Sequence, residues 1–290
     1  FAPKSSAAIG VDCSNGMASL LIKDILGEAP HYLFDTLDGT FPNHEPNPLI
    51  EENVAAIKQL VKDEKLDLGI IFDGDGDRVM FIDEQGRFIS PDLIIGVIGH
   101  YYLEKEQGYV LHDIRTSRSV SEYIRNLGGI PYMWKVGHAY AKVKLRELQG
   151  IFGGELAGHY YFRDFYYCDS GILAALIVLQ VLEKMKREGL SFSQLIGRIA
   201  KYAFSGEINF TVEKKLEAIK ELKKAVIEKE SPKAVYEFDG IRIEFPGWWF
   251  NVRPSNTEPY LRLVVEAETR EMLDDKLSEI KRILAPFIQN

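Results

Sequence analysis

The sequence predicts an α/β protein: two α/β domains, residues 1–106 and 107–204, followed by a smaller α+β domain, residues 205–290. Three observations carry that expectation. Short apolar runs alternate with helical segments through the first two of these stretches. One run, Leu66–Phe72, is apolar almost without interruption, as a strand buried in a parallel sheet would be. From about Gly206 the pattern changes to grouped strands, with Asp239-Gly240 as a hairpin signal and charged helices at the sides. A chain of 290 residues is also too long for one core of ordinary size.

The elements follow in order. Ala7–Val11 reads as a strand, Met17–Leu26 as a helix after the Asn15-Gly16 turn, and Thr40–Pro48 as a Pro/Asn-rich loop. Glu51–Asp63 has amphipathic helical spacing, Phe81–Asp83 continues the apolar run beyond a Gly-rich interruption, and Pro91–Leu103 is helical. In the second stretch, strands at Tyr109–Asp113, Tyr132–Lys135 and Gly150–Gly154 alternate with helices at Ser119–Leu127 and His138–Leu148. Asp169–Arg187 is a long helix, apolar around much of its surface and so buried. The third stretch offers strands at Glu207–Val212, Val235–Phe238, Ile241–Phe245, Trp248–Val252 and Tyr260–Glu266, with helices at Lys214–Lys229 and Glu271–Phe287.

Bulk properties exclude some function classes. A net charge of −8 disfavours nucleic acid or an acidic membrane as partner, so a phosphorylated ligand would have to meet a local cationic pocket. No apolar run reaches membrane-spanning length, and no signal-peptide pattern opens the chain. Cys13 and Cys168 are too few for a disulfide framework, which points to a reducing cytoplasm. The chain opens on Phe1 rather than Met, compatible with a processed, trimmed or excised polypeptide.

The segment Asp73-Gly74-Asp75-Gly76-Asp77-Arg78 directly follows the apolar strand. Carboxylates at every second position, spaced by glycines, can converge on one hard cation such as Mg²⁺, and Arg78 can hold a phosphate beside it. A solvated Asp/Gly turn is the bland alternative. An EF-hand fits poorly, because Arg78 stands where that loop needs Gly and a strand precedes it. An aspartyl-phosphate phosphatase is the chemical rival, with Asp73 as nucleophile and Asp75 as acid/base. Asp77 stands where a small hydroxyl residue would be expected in such an enzyme.

Two further loops sit at strand-to-helix junctions, where α/β proteins bind ligands. In Gly153-Gly154-Glu155-Leu156-Ala157-Gly158-His159, glycines such as Gly154 allow close approach of a ligand and Glu155 can accept from vicinal sugar hydroxyls. Alone, such a Glu is an ordinary surface charge. Lys135-Val136-Gly137-His138 is the other, and His138 and His159 are candidates for general bases or phosphate donors. Arg253-Pro254-Ser255-Asn256-Thr257-Glu258-Pro259 offers a guanidinium, two hydroxyls, an amide and backbone N–H groups, a set that fits a phosphate monoester. A polar turn is the alternative there. Trp248 and Trp249 read as packing residues.

Together, and in this order, these loops resemble the α-D-phosphohexomutase superfamily, over essentially the whole chain. The resemblance implies the second to fourth domains of a four-domain fold whose domains all contribute to one cleft. Asp73–Arg78 is similar to the family's magnesium loop, Lys135–His138 and Glu155–His159 to its sugar loops, and Arg253–Thr257 to its phosphate clamp. Arg115 matches a basic position near the reacting phosphate. Tyr160–Asp164 and Cys168–Gly171 resemble the phosphomannomutase branch, while Ala157 stands where many relatives carry Ser.

The implied activity interconverts mannose 6-phosphate and mannose 1-phosphate, and glucose phosphates too. It runs through a phosphoserine and a hexose 1,6-bisphosphate, with Mg²⁺ as cofactor. Arg78, Arg115, His138 and His159 would be catalytic. Lys135, Gly154, Glu155, Ala157, His159, Arg253, Ser255, Asn256 and Thr257 would bind substrate, and Asp73, Asp75 and Asp77 the metal. The family's phosphoserine loop resembles Thr-Ala-Ser-His-Asn-Pro, and neither Ser5-Ser6 nor Ser117 has such surroundings. The expectation is therefore that the first domain is missing from these residues and is supplied in cis or in trans. On that expectation the isolated chain is a phosphosugar- and Mg²⁺-binding piece with little turnover.

Overall fold

The computed structural model describes residues 6–255 and 259–289. It divides into two compact units, Phe1–Met133 with Gly137–Ala200, and Trp134–Val136 with Lys201–Asn290. Among the described residues there are three sheets and nine α-helices.

The first sheet contains β1 (Ile9–Asp12), β2 (His31–Leu33), β3 (Leu68–Phe72), β4 (Val79–Asp83) and β5 (Phe88–Ile89), ordered β2-β1-β3-β4-β5. β1 runs parallel to both β2 and β3, whereas β3, β4 and β5 are antiparallel neighbours. The apolar Leu68–Phe72 run is thus parallel on one side only. Val79–Asp83 does not extend it but turns back beside it, which makes the acidic segment the tip of a hairpin. Side-chain alternation sorts the two faces. Leu68, Ile70, Phe72, Val79 and Phe81 enter one core, and Ile71, Met80 and Ile82 enter the other. The second face is covered by Val54, Ile57 and Val61, which lead into and line α2 (Ala55–Asp63). The expected helix at Met17–Leu26 is instead a 3-10 turn followed by the five-residue α1 (Ile22–Leu26).

The second sheet contains β6 (Tyr109–Asp113), β7 (Ile130–Trp134), β8 (Phe152–Gly154), β9 (Tyr160–Phe162) and β10 (Cys168–Asp169), ordered β10-β9-β8-β6-β7. Its helices are α3 (Pro91–Tyr102), α4 (Arg118–Asn126), α5 (His138–Glu147), α6 (Gly171–Arg187) and α7 (Phe192–Ile199). Residues of α3, α6 and α7 share one hydrophobic core with strands of both sheets. Both sheets thus lie within the first compact unit, apart from Trp134 at the end of β7.

The second unit carries β11 (Ala203–Phe204), β12 (Ile208–Thr211), β13 (Ala234–Tyr236), β14 (Ile241–Phe245), β15 (Trp248–Pro254) and β16 (Tyr260–Ala267). α8 (Lys215–Lys229) and α9 (Arg270–Leu284) cover one face, sharing a core with Trp248, Phe250 and Val252. Alternation turns Trp249, Asn251 and Arg253 to the other face. There Trp249 lies under the Arg242 guanidinium, 3.5 Å from its ring centroid, and donates to Glu266 at 2.6 Å.

Candidate active site

The β3–β4 hairpin builds the acidic loop from its own backbone. Asp73 is fully buried at the end of β3. Its Oδ1 accepts the backbone N–H of Gly76 at 3.0 Å and of Arg78 at 3.1 Å, and its Oδ2 accepts Arg78 Nε at 2.7 Å. Arg78 therefore commits Nε to the loop. A second turn backs this one. Gly16 follows β1, and a Cβ there would stand 2.5 Å from the Gly74 carbonyl oxygen, so only Gly fits.

Oxygen atoms of Asp73, Asp75 and Asp77 all lie within 4.8 Å of one another. Burial pushes the Asp73 carboxyl up to about 6, with the nearby Asp75 adding to the rise against the opposing Arg78 charge. Burial also raises Asp77, whose Oδ1 is shielded from solvent and has no hydrogen-bond partner among the described residues. Three crowded carboxylates with an unsatisfied buried oxygen are the donor set a hard divalent cation would complete, so the residues fit Mg²⁺.

The loop after β8 meets this hairpin directly. Arg78 and His159 form an antiparallel bridge, and Val79 N–H donates to the Gly158 carbonyl at 3.2 Å. His159 Nδ1 lies 2.9 Å from Asp169 Oδ2 and 3.6 Å from Asp77 Oδ2. Burial works against a charged imidazole, but the hydrogen bond to Asp169 and the charges of Asp77 and Glu155 outweigh it, and His159 is held above its ordinary range. Burial likewise opposes ionisation of Asp169, yet His159 and Lys142, 2.7 Å away, hold that carboxyl well below the usual range. His138, exposed at the start of α5, lies edge-on to His159 with ring centroids 5.7 Å apart.

Glu155 is buried, which with the charge of Asp113 raises its carboxyl above the ordinary range. Oε1 accepts Gly137 N–H at 2.7 Å, and Oε2 accepts the Tyr161 hydroxyl at 3.1 Å. A carboxylate has about four acceptor sites, and these two bonds use half of them. Gly154 is buried at the end of β8 and Ala157 is half-buried in the turn.

Arg115 lies beneath this loop, almost fully buried, with an NH2 group 2.8 Å from Asp113 Oδ2. Asp113 Oδ2 also accepts Leu156 N–H at 2.8 Å, so the pair supports the loop from behind. Burial opposes ionisation of Asp113, but Arg115 overcomes it and holds the carboxyl below the usual range.

In the second unit, Arg253 is buried and Nε donates to Asp239 Oδ1 at 3.1 Å, while Asp239 Oδ2 accepts Val136 N–H at 2.8 Å. Asp239 is fixed by Gly240, whose φ of +62° is left-handed and whose added Cβ would stand 2.2 Å from the Val252 carbonyl. Ser255 N–H donates to the Tyr260 carbonyl at 2.8 Å, and Lys135 lies 6.0 Å from the Trp134 ring centroid. Asn256 and Thr257 fall outside the described residues.

Sequence models of one family account for most of the chain. Phosphoglucomutase/phosphomannomutase α/β/α domain II matches residues 2–86, α/β/α domain III residues 90–202, and the C-terminal domain residues 207–283. The chain belongs to the phosphoglucomutase/phosphomannomutase family. It is 38% identical to a phosphomannomutase of Methanocaldococcus jannaschii over 97% of its own length and 62% of that protein's. It is 39% identical to a protein named phosphohexose mutases from Xanthomonas campestris, over 94% of this chain and 61% of the relative. The crystal structure of a phosphoglucomutase/phosphomannomutase family protein from Burkholderia thailandensis superposes with a TM-score of 0.85 at 29% identity, covering 97% of this chain and 61% of that one. The chain thus spans about three-fifths of the relatives it matches.

Within this family member, sequence reasoning missed four supporting acids and bases. Asp113, Asp169 and Asp239 each hold a predicted site residue or its loop, and Lys142 in turn holds Asp169. Asp169 follows the Cys168 that marks the branch, and Asp239 opens the predicted hairpin, so each stood beside a recognised signal. Lys142 had none beyond its place on α5. Among the described residues, no helix is long and apolar enough to cross a membrane.

Proposed function

We propose that this chain is the magnesium-, sugar- and phosphate-binding part of a phosphomannomutase that interconverts mannose 6-phosphate and mannose 1-phosphate, and glucose phosphates as well, in the cytoplasm. The observation that carries this reading is the bridge from Arg78 to His159. It sets three carboxylates suited to Mg²⁺ against a loop bearing Glu155 and the His159 imidazole. The three stretches 1–106, 107–204 and 205–290 would correspond to domains two to four, with the phosphoseryl donor supplied from outside them in cis or in trans. Ser117 supports an outside donor: it is buried, and its side chain caps α4 by accepting Ser119 N–H at 3.1 Å.

Asp73, Asp75 and Asp77 would hold Mg²⁺, which when bound supplies positive charge for a phosphoryl oxygen. Arg78 would add its terminal nitrogens to the same phosphoryl group. His159, whose Nδ1 faces Asp169, would hold or deliver a proton at Nε2. His138 would stand beside it as a second donor. Glu155 would accept from sugar hydroxyls, with Gly154 and Ala157 leaving room for the ring. Arg115 would position that loop through Asp113. Arg253, Ser255, Asn256, Thr257 and Lys135 would grip the phosphate that does not react, so that a hexose 1,6-bisphosphate can turn over between two transfers. Such chemistry asks for alignment and charge rather than an intrinsic nucleophile, and these residues offer both.

The test follows conversion of mannose 1-phosphate with Mg²⁺ and catalytic glucose 1,6-bisphosphate, using this chain alone and with a phosphoserine-bearing first domain added. Turnover is expected only with the added domain and is abolished by Asp75→Asn. Robust turnover by the chain alone overturns the outside donor. Steady phosphate release that disappears in Asp73→Asn would make it a phosphatase instead. A binding piece without turnover predicts phosphosugar binding with no conversion in either mixture.

A further inference from the structure

We propose that Asp77, His138, His159 and Asp169 form a second cation site, one for Zn²⁺ and similar borderline metals rather than Mg²⁺, which shares Asp77 with the acidic loop. One donor atom from each of the four residues lies within 4.8 Å of the other three. The spacings from His159 Nδ1, 2.9 Å to Asp169 and 3.6 Å to Asp77, bracket the edge of about 3.3 Å expected of a tetrahedron with metal–ligand bonds of roughly 2.0–2.1 Å. Two imidazoles and two carboxylates are a donor set that suits zinc. The all-oxygen Asp73–Asp75–Asp77 set suits magnesium.

Four separate elements deliver the ligands: the hairpin tip, the first residue of α5, the turn before β9, and β10. β9 and β10 pair with Asp169 opposite Tyr161, two residues beyond His159, so the sheet itself sets the His159–Asp169 approach. Lys142 occupies Asp169 Oδ1 and His159 faces Oδ2. A metal taking Oδ2 and Nδ1 therefore replaces one hydrogen bond and leaves the lysine contact in place. Asp77 serves both sets, so occupancy of one site weakens the other.

The inference concerns binding alone and does not depend on the mutase reading. The experiment titrates the 290-residue chain with Zn²⁺ and with Mg²⁺ by calorimetry, and with Co²⁺ by visible absorption. The wild type should bind Zn²⁺, show the intense absorption of four-coordinate Co²⁺, and lose apparent Zn²⁺ affinity as Mg²⁺ is raised. His138→Ala and Asp169→Asn should each weaken Zn²⁺ by about tenfold or more while sparing Mg²⁺. Asp75→Asn should do the reverse. His138 is exposed, so its variant reports binding even if Asp169→Asn disturbs the fold. Zinc binding that survives His138→Ala but fails in Asp75→Asn places zinc in the acidic loop and overturns the proposal. So does an absence of Zn²⁺ binding.

Discussion

Asp73 and Glu155 are both buried carboxylates at the ends of strands, but they are held in opposite ways. Asp73 takes its hydrogen bonds from residues three and five positions away, all within one hairpin tip. Glu155 is held by Gly137, eighteen residues upstream, and its neighbour Leu156 is held by Asp113, forty-three residues upstream. The acidic loop is a local structure whose shape a few residues dictate. The Glu155 loop is a tertiary structure that exists only when two strands, a turn and a buried ion pair are assembled. Side chains in the first should govern ligand binding with little effect on the fold. Side chains beneath the second should govern the fold itself.

Asp113→Ala is the strongest way to break that contrast. It removes the carboxylate 2.8 Å from the buried Arg115 guanidinium and the acceptor for Leu156 N–H. Loss of one member of a buried pair costs about 3–5 kcal/mol, to be read by chemical denaturation. A loss below about 1 kcal/mol would show that the Glu155 loop stands without its support.

Asp75→Asn probes the other side. Asp75 is exposed at the hairpin tip, so stability should stay within about 0.5 kcal/mol of wild type. Mg²⁺ affinity should fall by about 100-fold, the upper end of what even outer-shell partners of a metal contribute. Calorimetric titration beside a thermal melt separates the two quantities. A variant that melts much earlier would mean that the loop is part of the core after all.

The same contrast decides what could be read from the sequence. The alternating carboxylates of Asp73–Asp77 declare their chemistry within six letters, because the strand before them and the glycines between them fix their geometry. The Asp239-Gly240 hairpin was legible for the same reason. Asp169 and Lys142 were not, since their roles depend on the pairing of β10 with β9 and on where α5 lies against that edge. Strand direction escaped in one place: an apolar run cannot say that Val79–Asp83 folds back beside Leu68–Phe72 instead of extending it. Nor does spacing show that two stretches share a core, which depends on the apolar surfaces of α3 and α6 meeting both sheets.

A third pair tests whether support from a distance extends to the back of the acidic loop. His44 lies in the Pro/Asn-rich loop, with Nε2 3.3 Å from the fully buried Asp12 carboxylate at the end of β1. Two residues on, Pro46 packs against Gly74, where an added Cβ would stand 3.3 Å from the Pro46 ring. The hydrogen bond to Asp12 holds the His44 imidazole above its ordinary range against the opposing effect of burial. A histidine raised in the folded state contributes stability that is complete below its unfolded value of about 6.5 and is lost as pH rises through the higher folded value. Wild-type stability should therefore decline on raising the pH through that window. His44→Gln keeps a hydrogen-bonding side chain but cannot take up the proton, so its decline should be shallower, with a cost at pH 6 on the order of 1 kcal/mol. Melting curves across the window measure both. Parallel curves for the two proteins would mean that Asp12 and His44 meet without sharing a charge, and that Pro46 is placed against Gly74 by packing alone.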